Sequence, residues 1–237
     1  MKKASQKTRI CLVGSSGKMG ASIQALAGLN APFVTFSLVD QKQELKSPKD
    51  VNPADVDVVV EFASPRATAQ WAKWCAKHRV PFVTGTTGLS SIEAKAVKAA
   101  AKRTAVFTSA NMSPTVSVLC QVLGDLSLRL RDFDVEIEEI HHRHKKDKPS
   151  GTAKLLMRAL EPGFKGRLKA PASLRGGEVF GIHKVFFLGD GETLTIEHQA
   201  MGRHIFARGA LRAALWICGK KPGMYSMLHM LDDQRGR

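Results

Sequence analysis

Arg9–Gly20, RICLVGSSGKMG, decides the fold. Arg9–Val13 is a short apolar run of strand character, and Lys18–Leu29 continues with helical spacing. Gly14, Gly17 and Gly20 stand at the turn between them. Glycines there permit a tight turn and close backbone approach, and the helix start offers free N–H groups and a dipole to a phosphate. A second apolar run, Val34–Val39, ends at Asp40. An acidic residue about 20 positions beyond such a loop completes the pattern of a dinucleotide site, where its carboxylate accepts from the ribose hydroxyls of NAD(H). Lys42 nearby offers a cation to a 2′-phosphate instead, so NADH and NADPH both remain open.

Working outward, apolar runs alternate with helical segments. The β-branched run Val56–Phe62 precedes a helical pattern over Ala67–His78, and Pro81–Thr84 is a short strand. Ser90 and Glu93 form a capping box for a helix reaching about Lys102, and Ala105–Thr108 reads as a strand. Such alternation implies a parallel sheet with helices on both faces. Two turns fall at strand ends, where ligands of open α/β sheets bind: Gly85, Thr86, Thr87 and Gly88, then Ser109, Ala110, Asn111 and Met112. Their small side chains and amides suit a nicotinamide carboxamide and ribose.

The pattern changes after Asn111. A helix is expected over Pro114–Leu130 and a strand over DVEIEEI, with a further helix over Ala153–Leu160. Glu178–Leu188 and Glu192–Ala200 read as strands joined by a Gly189-Asp-Gly191 hairpin, and Ile205–Ile217 as an amphipathic helix. The expected architecture is α/β: a Rossmann-like dinucleotide-binding domain plus an α+β domain with a mixed sheet. The first comprises residues 1–112 and 206–237, and residues 113–205 form the second, for substrate binding and oligomerisation.

The chain has 237 residues and a formal charge of +15, carried by lysines and arginines scattered along its length. Scatter favours a solvated basic surface over a nucleic-acid stripe. No apolar run approaches the roughly 18 residues needed to span a bilayer, and the apolar stretch before Gly14 is too short for a signal peptide. A cytoplasmic protein is expected, with Cys11, Cys75, Cys120 and Cys218 reduced.

His141–Leu156, HHRHKKDKPSGTAKLL, concentrates the chemistry. Adjacent His141 and His142 on a strand point to opposite faces and chelate one ion poorly, and no Cys pair joins them, so no metal is expected. The stretch lacks the aromatic interleaving of a nucleic-acid site. It suits a small dianion: Lys145 is a point charge for one carboxylate, and Ser150 caps a helix whose Gly151 and Thr152 amides favour another. A histidine beside them can deliver a proton near neutrality. With a nicotinamide cofactor, the class of reaction is hydride transfer plus protonation. A dehydrogenase for another small acid such as aspartate, and a dinucleotide-sensing regulator without turnover, are the competing readings.

The segment from Glu136 to Ala153, an acidic strand followed by HHRHKKDKPSGTA, resembles the signature of the dihydrodipicolinate reductase family. VGSSGKMG resembles that family's cofactor loop, VEFASP its DFTxP segment, VTGTTGLS its GTTG turn, SANMS its nicotinamide-side loop, and LRGGEVFGIHKVFF its RxGxxxGxH strand. The resemblance implies that His141 is the acid. It assigns His142, Lys145, Gly151 and Thr152 to the dicarboxylate substrate, with Ser150 alongside. Gly14, Ser15, Ser16, Gly17, Lys18 and Met19, with Asp40, Gly85, Thr86, Thr87 and Ser109 to Met112, would hold NADH or NADPH. It also implies a homotetramer and reduction of 4-hydroxy-tetrahydrodipicolinate to tetrahydrodipicolinate in lysine and diaminopimelate biosynthesis. The Asp40–Val56 region is shorter than is common in the family, and Asp40, Gln41 and Lys42 replace its usual Glu and Arg.

Overall fold

The structure, a computed structural model, describes residues 7–30, 34–40 and 43–235; Gln41 and Lys42, the latter a candidate partner for a 2′-phosphate, lie outside the described residues. In chain order the elements are β1 (Thr8–Val13), α1 (Lys18–Asn30), β2 (Val34–Val39), β3 (Val58–Glu61), α2 (Pro65–His78), β4 (Phe82–Thr84), α3 (Ser91–Ala100) and β5 (Ala105–Thr108). There follow α4 (Pro114–Arg129), β6 (Asp134–His141), α5 (Gly151–Phe164), β7 (Ala172–Arg175), β8 (Ile182–Gly189) and β9 (Glu192–Gln199). The chain closes with α6 (His204–Ile217), β10 (Gly223–Tyr225) and α7 (Met227–Arg235). Two compact units result: Met1–Met112 with Phe206–Arg237, and Ser113–Ile205.

The first unit is built on a six-stranded sheet of order β10-β5-β4-β3-β1-β2, parallel throughout. Alternation along β1 divides its side chains between two cores. Ile10 and Leu12 pack with Ile23 of α1, Ala210 and Ala214 of α6 and Met230 of α7. Cys11 and Val13 pack with Trp71 and Cys75 of α2 and Val97 of α3. Both faces are therefore covered, as a β-branched parallel sheet requires. Caps fix where the helices begin: Ser64 accepts from the Ala67 amide, and Ser90 and Glu93 form the expected box.

The second unit has a four-stranded mixed sheet of order β7-β6-β8-β9, with β7 parallel to β6 and the other pairs antiparallel. Its core joins Val135, Ile137, Val185 and Phe187 of the sheet to Leu123 of α4 and to Leu156, Leu160 and Phe164 of α5. That last stripe, at i, i+4, i+8, carries α5 beyond the expected Leu160. The strand expected over Glu178–Leu188 begins only at Ile182. Topology is the reason: β7 and β8 flank β6 on opposite sides, so residues 176–181 are used in crossing. Neither β7 nor β10 shows a clear alternation in sequence, and both are found only through their neighbours.

Candidate active site

Period-two alternation along β6 places Val135, Ile137, Glu139 and His141 on its buried face. Along β8 the same rule buries His183, Val185 and Phe187. One end of this face is apolar core; the other holds a carboxylate and two imidazoles. Glu139 has no exposed surface and His141 retains 6%. Oε1 of Glu139 accepts from the Arg175 guanidinium at 2.7 Å, from Ser173 Oγ at 2.7 Å and from the Ser150 amide at 3.2 Å. Oε2 lies 2.6 Å from Nδ1 of His141. Burial pushes the Glu139 carboxyl up, but the donors of Arg175, Ser173 and Ser150 outweigh it and hold the pKa at about 2. Burial lowers the His141 pKa; Glu139 pulls it back up, while Lys145 and Arg175 push it down.

Arg175 also holds the loop that follows β6. It donates through Nε to the Lys145 carbonyl at 3.3 Å and through a terminal nitrogen to the Asp147 carbonyl at 2.6 Å. The Gly176 amide bonds the His141 carbonyl, and the Arg143 amide bonds that of Gly177. Lys145 Nζ meets Asp147 at 2.7 Å and remains partly exposed. Ser150 caps α5 by accepting from the Ala153 amide at 3.1 Å, and its hydroxyl lies 3.2 Å from Nε2 of His183. Gly151 and Thr152 follow in the first turn, where amides have no intrahelical acceptor. Thus His141, Lys145, Ser150, Gly151 and Thr152 gather at one end of the mixed sheet. His142 is half-buried beside them, its ring 6.3 Å from that of His144.

Glu139, His141 and His183 bring three metal-type donor atoms within 4.8 Å. The positive charge facing this carboxylate already belongs to Arg175, so a cation would have to displace a buried guanidinium contact. Burial and the neighbouring His141 also hold the His183 pKa down, to about 4.

In the first unit, the turns after β1, β2, β4 and β5 lie at the same edge of a parallel sheet, with Gly14 at the reversal between β1 and β3. Gly14 has φ +80, and a Cβ there would fall 2.7 Å from the Phe62 carbonyl; one on Gly20 would fall 2.3 Å from the Gly14 carbonyl. Only glycine fits this cradle. Ser15 is buried in it, Ser16, Gly17 and Lys18 are exposed at the start of α1, and Met19 is half-buried. The Ser16 amide reaches Asp40 at 3.4 Å. These residues fit a dinucleotide phosphate. A cavity of about 500 Å³ is lined by Gly14 and Asp40 together with Lys46, Arg66 and Trp71.

Fully buried Glu61, at the end of β3, braces the neighbouring turn. It accepts from the Ala63 and Ser64 amides and from the hydroxyls of Thr68, Thr84 and Thr86. Gly85 lies against the Phe62 ring, Thr87 is exposed, and the Ser109 amide bonds the Thr84 carbonyl. Ser109 Oγ donates to the Asn111 carbonyl, Ala110 is exposed, and Met112 is buried beneath α6.

A larger cavity, about 620 Å³, opens at the opposite edge of the sheet and is lined by Arg79, Lys102, Arg103 and Lys220. These cations follow the C-termini of α2, α3 and α6, where basic side chains offset the helix dipoles. The cavity lies away from the turns at Gly14, Gly85 and Ser109, and part of the basic charge is accounted for there.

Sequence reasoning passed over Glu139, Ser173, Arg175 and His183, and over Glu61, Lys46 and Arg66. Alternation along β6 was enough to pair Glu139 with His141. Arg175 and His183 are the arginine and histidine of LRGGEVFGIH, a motif noted for its resemblance alone.

Comparison with known proteins bears on both units. Residues 8–112 match the family model described as dihydrodipicolinate reductase, N-terminus, and residues 115–231 match the corresponding C-terminus model. The 4-hydroxy-tetrahydrodipicolinate reductase of Bdellovibrio bacteriovorus is 40% identical over 228 residues, covering 95% of this chain and 97% of the relative. That of Desulfovibrio desulfuricans is 36% identical, with 94% and 99% covered. Among solved structures, dipicolinate-bound dihydrodipicolinate reductase from Paenisporosarcina sp. TG-14 superimposes with a TM-score of 0.78 at 19% identity, covering 93% and 98%.

Proposed function

This chain belongs to the dihydrodipicolinate reductase family, and we propose that the polar end of its mixed sheet performs that family's protonation and holds the substrate. The protein is an NAD(P)H-dependent oxidoreductase that reduces 4-hydroxy-tetrahydrodipicolinate to tetrahydrodipicolinate with loss of water, in lysine and diaminopimelate biosynthesis. The glycine cradle and the turns at Gly85–Thr87 and Ser109–Met112 would hold the cofactor, which would supply the hydride.

Lys145 neutralises one carboxylate of the substrate, and the first turn of α5 takes the other through the Gly151 and Thr152 amides, with His142 and Ser150 beside them. His141, neutral in the free protein, gains affinity for a proton when a dianion arrives and gives it up, directly or through a water, to the reduced substrate. The observation that carries this reading is the gathering of His141, Lys145 and the capped start of α5 around one buried carboxylate.

The reading extends to a cytoplasmic homotetramer, with no nucleic acid or membrane as partner. Four free cysteines suit a reducing compartment, and among the described residues no helix is long and apolar enough to cross a membrane. The sheet face opposite α4 and α5 carries exposed Leu188, Thr193 and Thr195 beside half-buried Phe186, which suits a subunit contact.

The test is a coupled assay with synthase-generated substrate, run with NADH and NADPH in parallel. Lys145→Ala should lose at least about 100-fold in turnover while binding NADH normally. Near-normal turnover would remove Lys145 from the site. Light scattering checks the tetramer.

A further inference from the structure

We propose that Glu139 is a positioning residue for this reaction: anchored by Arg175, it holds Nδ1 of His141 and leaves Nε2 as the atom that exchanges the proton. The proposal rests on the reading of His141 as the acid and assigns the device that aims it.

The two oxygens of Glu139 are divided. Oε1 is taken by Arg175, Ser173 and the Ser150 amide, and Oε2 is left facing His141 at 2.6 Å. A carboxylate at one ring nitrogen places the proton of a neutral imidazole there and exposes the lone pair of the other. Nε2 lies toward Gly181, where an added Cβ would fall 2.9 Å from it. Any other residue at 181 would press on that nitrogen. Arg175 links the acid to the substrate-binding loop, because the guanidinium that bonds Glu139 also bonds the carbonyls of Lys145 and Asp147. One arginine with a largely enclosed side chain therefore sets the acid and the cation relative to each other.

A purely structural ion network would show the same contacts, so the groups facing His141 decide what to measure. They are Glu139 on its own strand, Lys145 in the following loop, Arg175 on β7 and His183 on β8, with His198 of β9 behind His183 at 6.2 Å between rings. Only Glu139 is acidic. Replacing it with glutamine leaves His141 among cations and imidazoles, and the new amide can donate to Nδ1 and reverse the tautomer. The His141 titration midpoint must then fall.

Long-range nitrogen–proton correlation spectra of the ¹⁵N-labelled tetramer near pH 7.5 test this first in the unaltered protein. The Nδ1–H tautomer of His141 is expected, and an Nε2–H tautomer overturns the proposal whether or not any variant folds. Next, Glu139→Gln should lower the His141 midpoint by about one pH unit or more. It should also reduce kcat about 100-fold, with the KM for NADH within two-fold. An unmoved midpoint in folded Glu139→Gln overturns the proposal. His141→Gln, measured in parallel, separates the two readings: retained turnover there refutes His141 as the acid whatever its tautomer.

Discussion

Glu61 and Glu139 are both fully buried glutamates on β-strands, one in each unit, yet their surroundings differ in kind. Glu61 accepts from two backbone amides and three threonine hydroxyls, none of which titrates in the physiological range. Its partners are fixed dipoles. Glu139 shares its charge with a guanidinium and an imidazole. A carboxylate in a neutral shell braces loops; one set 2.6 Å from an imidazole nitrogen can alter where a proton sits. The first unit sets its buried carboxylate among turn amides and hydroxyls, the second against a guanidinium and an imidazole.

The strongest way to break this contrast is Glu61→Ala. It strands the Ala63 and Ser64 amides and the Thr84 and Thr86 hydroxyls, while Thr68 keeps the Ser64 carbonyl at 3.0 Å, and a buried donor left unmade costs about 1–3 kcal/mol. Allowing water to satisfy some of them, the first unit should lose about 3 kcal/mol or more. Trp71, Trp74 and Trp216 all lie in that unit, so tryptophan fluorescence during urea unfolding reports on it. An unchanged midpoint would mean that Glu61 is no brace, and the comparison would fail on its first side.

Acid sharpens the other side. Burial, with His141 adding to it, depresses the His183 pKa from 6.5 to about 4. The unfolded chain therefore binds a proton in this window that the folded one refuses. The stability tied to neutral His183 is present above pH 6.5 and is lost as pH falls toward 4. Glu139 follows: its folded pKa of about 2 lies below the ordinary 4.5, so its contribution is present above 4.5 and lost toward 2. Each step is on the order of 3 kcal/mol. Amide exchange in β8 should show the second unit weakening between pH 6.5 and 4, and His183→Gln should flatten that interval. A slope unchanged in the variant would move the titration to another group.

What could be read from the sequence follows the range of the forces involved. The Gly14–Gly20 loop shows itself by its glycines, although its amides reach Val39 and Asp40. The caps at Ser64 and Ser90 and the hairpin at Gly189–Gly191 are local, because each is satisfied by residues a few positions away. The anchors of the site are not. Arg175 lies 36 residues from Glu139, and Ser150 lies 33 from His183. Those pairings exist only because β7 and β8 flank β6, a topology that alternation alone does not specify. The same limit hid β10, a three-residue strand held by β5. Expected residues such as Lys145 and Ser150 were legible as chemistry; what turns them toward one another was not.

The smallest expected effect concerns a third carboxylate, which stands between the two extremes. Asp40 is half-buried at the end of β2, facing the cavity that Lys46 and Arg66 also line. Neither enclosed like Glu61 nor set against an imidazole like Glu139, it lines a cavity. A carboxylate there favours ribose hydroxyls and opposes a 2′-phosphate, whereas Lys46 and Arg66 favour the phosphate. Asp40→Ala should raise the KM for NADH about five-fold and leave that for NADPH unchanged or lower, since one charge-assisted hydrogen bond is worth roughly 1 kcal/mol at a partly exposed site. Lys46→Ala and Arg66→Ala should do the reverse, raising only the KM for NADPH. If all three variants weaken both cofactors equally, this cavity binds a part that NADH and NADPH share, and discrimination lies elsewhere in the turn after β2.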